Sequence, residues 1–168
     1  MGKVFIQTNE ADGNRVIAFA AGNDGALEQV ASVSTGGKGD GVPHLTSQGS
    51  VVLSQDGSRL LVANAGSGDV SVLAVGEDPS LEQVVPTGAA PKSITEHSGL
   101  VYVLNTEAPS LAGFRLAKNG LEPVEGSLRE LAPGADPAQA GFSPDGSALL
   151  VTERGTDSLV VFPVEESG

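Results

Sequence analysis

Two stretches of this chain are near copies of each other. Ser54-Gln55-Asp56-Gly57-Ser58-Arg59-Leu60-Leu61-Val62 returns 89 residues later as Ser143-Pro144-Asp145-Gly146-Ser147-Ala148-Leu149-Leu150-Val151. Between them, Glu96-His97-Ser98-Gly99-Leu100-Val101-Tyr102-Val103 occupies a comparable place with a shorter turn. A second echo, Leu27-Glu28-Gln29-Val30, recurs as Leu81-Glu82-Gln83-Val84 and Leu121-Glu122-Pro123-Val124, at offsets of 54 and 40 residues. The first of those intervals therefore carries a long insertion. A repeat of about 44 residues marks an array of like units, each of which must cover its apolar faces with its neighbours.

Each period holds four short apolar runs separated by turn residues, which is how strands read. In one complete period the runs are 50–54, closed by Asp56-Gly57, then 59–64, 70–75 and 81–85. The next period gives 91–96, 100–105, 111–116 and 121–128. No window sustains the three-and-four apolar spacing of a helix. The 23 Gly and 10 Pro of 168 residues are spread between the runs, as turns in a β-protein require. The predicted fold class is all-β: a β-propeller arc of four-stranded antiparallel blades. Ala138, Ala140 and Gly141 suit a crowded inner strand near the propeller axis. An immunoglobulin-like sandwich also uses short strands, but it would not repeat Asp-Gly turns in one phase.

The count of strands does not close a ring. The blades run 4–34 without an inner strand, 50–86, 91–128, and 138–164 without an outer strand. That is about 3.5 blades, or 14 strands. An open arc presents two uncovered sheet ends, which invite pairing with another chain. A homodimer through those ends is expected, with two arcs building an even ring of eight sheets. The rival account is that the sequence is the front half of a longer protein.

Composition excludes several function classes. Lys plus Arg is 9 against 21 Asp plus Glu, a formal charge of −12, which repels a phosphate backbone, so no nucleic-acid partner is expected. Cysteine is absent, which removes disulfides, thiolate metal sites and cysteine nucleophiles and fits a cytoplasmic setting. No apolar run approaches a membrane span. No Ser-His-Asp spacing, phosphate-cradling loop or metal-ligand cluster appears, so neither a metal nor a cofactor is expected.

Antiparallel alternation pools the loops entering the inner strands and the loops leaving the second strands on one face. His44, Lys92 and Gln139 lie before or within inner strands, while Asn64, Asn105 and Glu153 close second strands. The loop 35–49 is the largest insertion and carries Ser47 and Gln48 beside His44. Polar groups converging on a channel mouth make a candidate binding site for a small molecule or a peptide. Glu153 replaces the Asn found at 64 and 105. It is placed either to act as acid, base or cation ligand or to cap the following turn. Asn64 and Asn105 suit tight turns. Lys92 is placed to meet an anionic substrate, Glu96 or Glu153. His97 falls in a turn on the opposite face and reads as a surface residue.

The Ser-Pro-Asp-Gly string at 143–146, Asn-Ala-Gly-Ser-Gly-Asp-Val-Ser-Val at 64–72, Thr-Asn-Glu at 8–10, Gly-Val-Pro-His-Leu at 41–45 and Val-Thr-Glu-Arg-Gly-Thr at 151–156 resemble the lactonase family of seven-bladed β-propellers. That family includes 6-phosphogluconolactonase-like proteins and carboxymuconate cyclases, and the resemblance matches the first half of a typical member. It implies a Pro-His pair before an inner strand, matched here by Pro43-His44. His44 would then be a general base towards water attacking a lactone, unless it simply braces its loop. Two functions follow. The first is a lactonase-like scaffold or binding module that self-associates. The alternative is a lactone hydrolase or muconate-type cyclase using His44 and Glu153, with Lys92 holding an acid group. A phosphosugar site wants several basic groups, and here only Lys92 clearly reaches this face.

Overall fold

The computed structural model describes residues 2–42 and 48–165. Pro43, His44 and Ser47 lie outside the described residues. Every strand pairs antiparallel with its neighbours in four consecutive sheets. The first contains β1 (Lys3–Gln7), β2 (Arg15–Ala21) and β3 (Leu27–Ser34), and the second β4 (Val51–Leu53), β5 (Arg59–Asn64), β6 (Asp69–Ala74) and β7 (Ser80–Pro86). The third contains β8 (Pro91–His97), β9 (Leu100–Asn105), β10 (Ser110–Ala117) and β11 (Gly120–Pro123), with β12 (Arg129–Glu130) also on β10. The fourth contains β13 (Pro137–Phe142), β14 (Ala148–Glu153) and β15 (Ser158–Pro163). The chain is thus an all-β propeller arc.

One expectation needs amending. The run 121–128 is a strand only as far as Pro123, and a further short strand, β12, follows the run, which raises the count from 14 to 15 among the described residues. After β11 the chain turns at Glu125-Gly126, where Gly126 has φ +74°. Ser127 then enters the sheet, its Oγ accepting from the Gly113 amide at 3.0 Å and donating to the Val124 carbonyl at 2.7 Å. A side-chain hydroxyl thereby takes the place of strand pairing.

The repeated turns are alike down to their hydrogen bonds. Asp56 accepts from the Ser54 hydroxyl (2.7 Å), the Ser58 amide (2.9 Å) and the Ser58 hydroxyl (2.8 Å). Asp145 does the same with Ser143 (2.6 Å) and with the Ser147 amide (3.1 Å) and hydroxyl (2.8 Å). Gly57 and Gly146 follow at φ +72° and +74°, a conformation glycine adopts without strain. The Ser54 and Ser143 hydroxyls first, then the Ser58 and Ser147 amides and after them the hydroxyls of those same two serines, hold the carboxyls of Asp56 and Asp145 down from 3.8 to about 2. A depressed carboxyl stabilises the fold above its unfolded pKa and loses that contribution as pH falls through the folded value. Thermal melts between pH 5 and 2 should therefore show Tm falling from about pH 4 downward. The double variant Asp56→Ala, Asp145→Ala should show a shallower acid limb, and an unchanged slope would contradict the turn assignment.

The sheets pack face to face. Val16 of β2 meets Leu60, Val62 and Leu73 across the first interface, and Leu61, Val70 and Val72 meet Val101, Val103 and Phe114 across the second. Tyr102, Leu104 and Leu111 meet Ala140, Leu149 and Val151 across the third. Position in the arc decides burial. In the middle sheets, β9 is buried at every residue and β5 and β6 nearly so, because both faces are covered. In the end sheets, β2 and β14 alternate, because only one face is covered. Val4 pairs with Phe19 and Ile6 with Ile17, so these four side chains share the open face of the first sheet, with Val4 39% and Ile6 47% exposed. On the last sheet Leu150 pairs with Val161 and Thr152 with Leu159, leaving Val161 55% and Leu159 58% exposed.

The inner strands zip together around the hub. The Ile94 amide donates to the Gly49 carbonyl at 2.8 Å, the Ala140 amide to Ser93 Oγ at 3.2 Å and the Phe142 amide to Thr95 Oγ1 at 3.4 Å. Crowding explains Ala140, which is buried. It does not explain Gly141: a Cβ there would meet nothing within 4 Å, because Gly141 pairs with Leu150 on the open face.

Candidate functional site: the inner-strand wall

The inner strands β4, β8 and β13 and the segment before β4 line an open cavity of about 380 Å3, walled by Gln48, Thr95, Glu96, His97, Gln139 and Phe142 among others. Gln48 and Gln139 thus line the same cavity. Gln139 stands opposite Thr152 on β14 and is exposed. Lys92 and Ala138 are the extra residues of matching register shifts, between Pro91 and Ser93 and between Pro137 and Gln139. Each follows a proline, whose missing amide leaves the ladder free to bulge there.

Register also fixes what corresponds to Lys92 in the second sheet. Val51 pairs with Val62 and Ile94 with Val103, and both valines stand two residues before the strand-closing Asn. Two residues back from Val51 is Gly49, at φ +74°, so Gly49 occupies that register. His44 and Ser47 belong to the segment outside the described residues.

Asn64, Asn105 and Glu153 do close second strands, but the structure does not bring them to this cavity. All three are buried. Asn64 Nδ2 donates to Asp69 Oδ1 and Ser71 Oγ, both at 2.7 Å, while its Oδ1 accepts from Asn14 Nδ2 and Thr35 Oγ1, both at 2.9 Å. That network ties the first sheet to the second. Asn105 repeats half of it, donating to the Thr87 carbonyl at 2.9 Å, while its Oδ1 and the Thr87 hydroxyl are buried without a hydrogen-bond partner among the described residues. Glu153 accepts from the Thr156 hydroxyl at 2.6 Å, so it caps the following turn. The signal for these clasps was present in the sequence as Ser-Thr-Gly-Gly at 34–37 and Pro-Thr-Gly-Ala at 86–89.

One wall residue differs from its sequence reading. His97 is not a free turn residue: its ring lies 5.7 Å from that of Phe142, and a Cβ on Gly146 would fall 2.4 Å from the imidazole. It packs between the third and fourth sheets because the two-residue turn Ser98-Gly99, both at positive φ, ends β8 directly beneath the next blade. Glu96 accepts from the Gly99 amide at 2.6 Å and from the Gln55 amide at 2.7 Å, which joins its turn to that of the second sheet. Among the described residues there is no group of three or more His, Cys, Asp or Glu side chains placed to hold a metal ion, and no helix long and apolar enough to cross a membrane.

Comparison with solved structures returns propellers of this type. The chain superposes on the periplasmic gluconolactonase PpgL of Pseudomonas aeruginosa with a TM-score of 0.79 and 20% identity, covering 97% of this chain and 51% of that one. A Lactobacillus plantarum protein gives a TM-score of 0.80 at 22% identity, over 99% of this chain and 51% of its own. A Bacteroides fragilis protein provisionally described as a 6-phosphogluconolactonase gives 0.80 at 16%, over 99% and 51%. The chain therefore spans about half the length of these relatives. No curated protein sequence matches it significantly. The family model for the seven-bladed β-propeller lactonases matches residues 2–133, and with the four propeller sheets and the repeated Ser-x-Asp-Gly-Ser turns this chain belongs to that family.

Proposed function

We propose that this chain is a ligand-binding half-ring whose open ends pair with a second copy, and whose inner-strand wall takes a small polyhydroxylated lactone or the matching sugar acid. The observation that carries the reading is the cavity that brings Gln48, Thr95 and Gln139 to one wall. Amides and hydroxyls both donate and accept, as recognition of a polyol requires. The relatives described as a gluconolactonase and a 6-phosphogluconolactonase support the ligand class.

Calorimetric titration with gluconate tests it. Saturable binding is expected, weakened about fivefold by Gln139→Ala, the effect of losing one neutral hydrogen bond of about 1 kcal/mol. No saturable binding would overturn the reading. The same relatives favour a second reading, in which the chain hydrolyses the lactone with His44 as base. Lactone turnover above the spontaneous rate that is lost in His44→Ala would support it. Turnover unaffected by that change would remove His44 from the chemistry.

A further inference from the structure

The interface between the third and fourth sheets is built differently from the one before it. Asn64 pairs with Asp69 and Asn105 with Ser110, so Leu61 corresponds to Tyr102 and Val72 to Gly113. A Cβ on Gly113 would stand 2.7 Å from Ser127 Cβ and 3.0 Å from Tyr102 Cε1. Glycine there makes room for both the phenol ring and the serine that splits the outer strand. Beside that split lies a cavity of about 240 Å3, lined by Tyr102, Leu111 and Arg129 from the third sheet and by Leu149, Phe162 and Glu165 among others from the fourth. Tyr102 is 7% exposed and lines this cavity. Arg129 is anchored through one terminal nitrogen, which donates to the Gly126 and Leu128 carbonyls.

We propose that this cavity is a binding site for a single-ring carboxylate, with the ring against Leu111, Leu149 and Phe162 and the carboxylate accepting from the Tyr102 hydroxyl and the Arg129 guanidinium. The size suits the ligand, since a dry cavity of roughly 150 Å3 with such walls accommodates benzene. A phenol hydroxyl is a donor, and a hydrogen bond to a charged acceptor is stronger than one to a neutral group. Guanidinium matches carboxylate in charge and geometry. Glu165 at the rim disfavours a second negative charge on the ligand.

The protein carries its own reporter: Tyr102 is its one tyrosine and it has no tryptophan. Titration of the full chain with cyclohexanecarboxylate, which does not absorb where tyrosine is excited, should change Tyr102 emission saturably. Cyclohexylmethanol, of the same shape but uncharged, should bind at least about tenfold more weakly, the loss of one charge-assisted hydrogen bond. The exposed Arg129→Ala variant should weaken the carboxylate by a similar factor while its circular dichroism stays that of the parent. No saturable change in emission, equal affinity for the alcohol, or undiminished affinity in Arg129→Ala would overturn the assignment.

Discussion

Truncating Leu61 to Ala should destabilise the chain by about 3–5 kcal/mol, the upper part of the range for deleting a buried leucine. Leu61 is fully buried at the centre of the cluster that joins the second and third sheets, where Val70, Val72, Val101 and Val103 surround it. Neighbours on both sides belong to rigid strands of different sheets, so the site cannot collapse around the missing atoms, and the cavity cost adds to the lost burial. For a domain of this size the loss corresponds to a Tm lower by roughly 6–20 °C. Leu159→Ala is the control: that side chain is 58% exposed on the open face of the last sheet, and its truncation in a single chain should fall within about 0.5 kcal/mol. Urea unfolding of the two variants gives the comparison. Equal losses would contradict face-to-face packing of the second and third sheets.

The second large effect concerns assembly. In a ring closed by two copies, the first face of each chain meets the last face of the other, so Ile6→Lys or Val161→Lys places a charge in both contacts at once. A buried, unpaired ammonium costs far more than the apolar contact it replaces, and each single variant should run as a monomer. Both residues are about half exposed within one chain, so neither change should disturb its fold. The pair of variants also fixes which faces meet. If first faces paired only with first faces, Val161→Lys would remain a dimer. Sedimentation velocity of the two variants distinguishes these arrangements, and wild-type behaviour in both would contradict pairing through the ends.

The fold was legible because the turns that punctuate it are chemically explicit. Asp56-Gly57 and Asp145-Gly146 require glycine after the carboxylate and serines on either side, so the same bonds recur wherever the same letters do. The break in the third outer strand is marked by Pro123 and Gly126 between Leu121 and Leu128, but those letters do not say where the chain rejoins the sheet. Its cause is Ser127 finding the amide of Gly113, a contact set by a glycine on another strand. Gln139 was placed by strand alternation and Gln48 by the long 35–49 loop. The burial of Asn64 and Asn105 followed from neither, because it depends on the neighbouring blade's threonine loop reaching over them, whereas Glu153 turns to Thr156 of its own turn. The role of His97 was hidden for the same reason: a residue at the end of its own turn lies beneath the next blade, and only packing between blades reveals it.

Light scattering on the purified chain at micromolar concentration tests the central claim most directly. The account predicts a single species near twice 16.8 kDa, because two apolar sheet faces that neighbouring blades would ordinarily cover are then covered by a second arc. A monodisperse species at 16.8 kDa would contradict it, leaving Val4, Ile6, Leu159 and Val161 in water and the inner-strand wall without its other half.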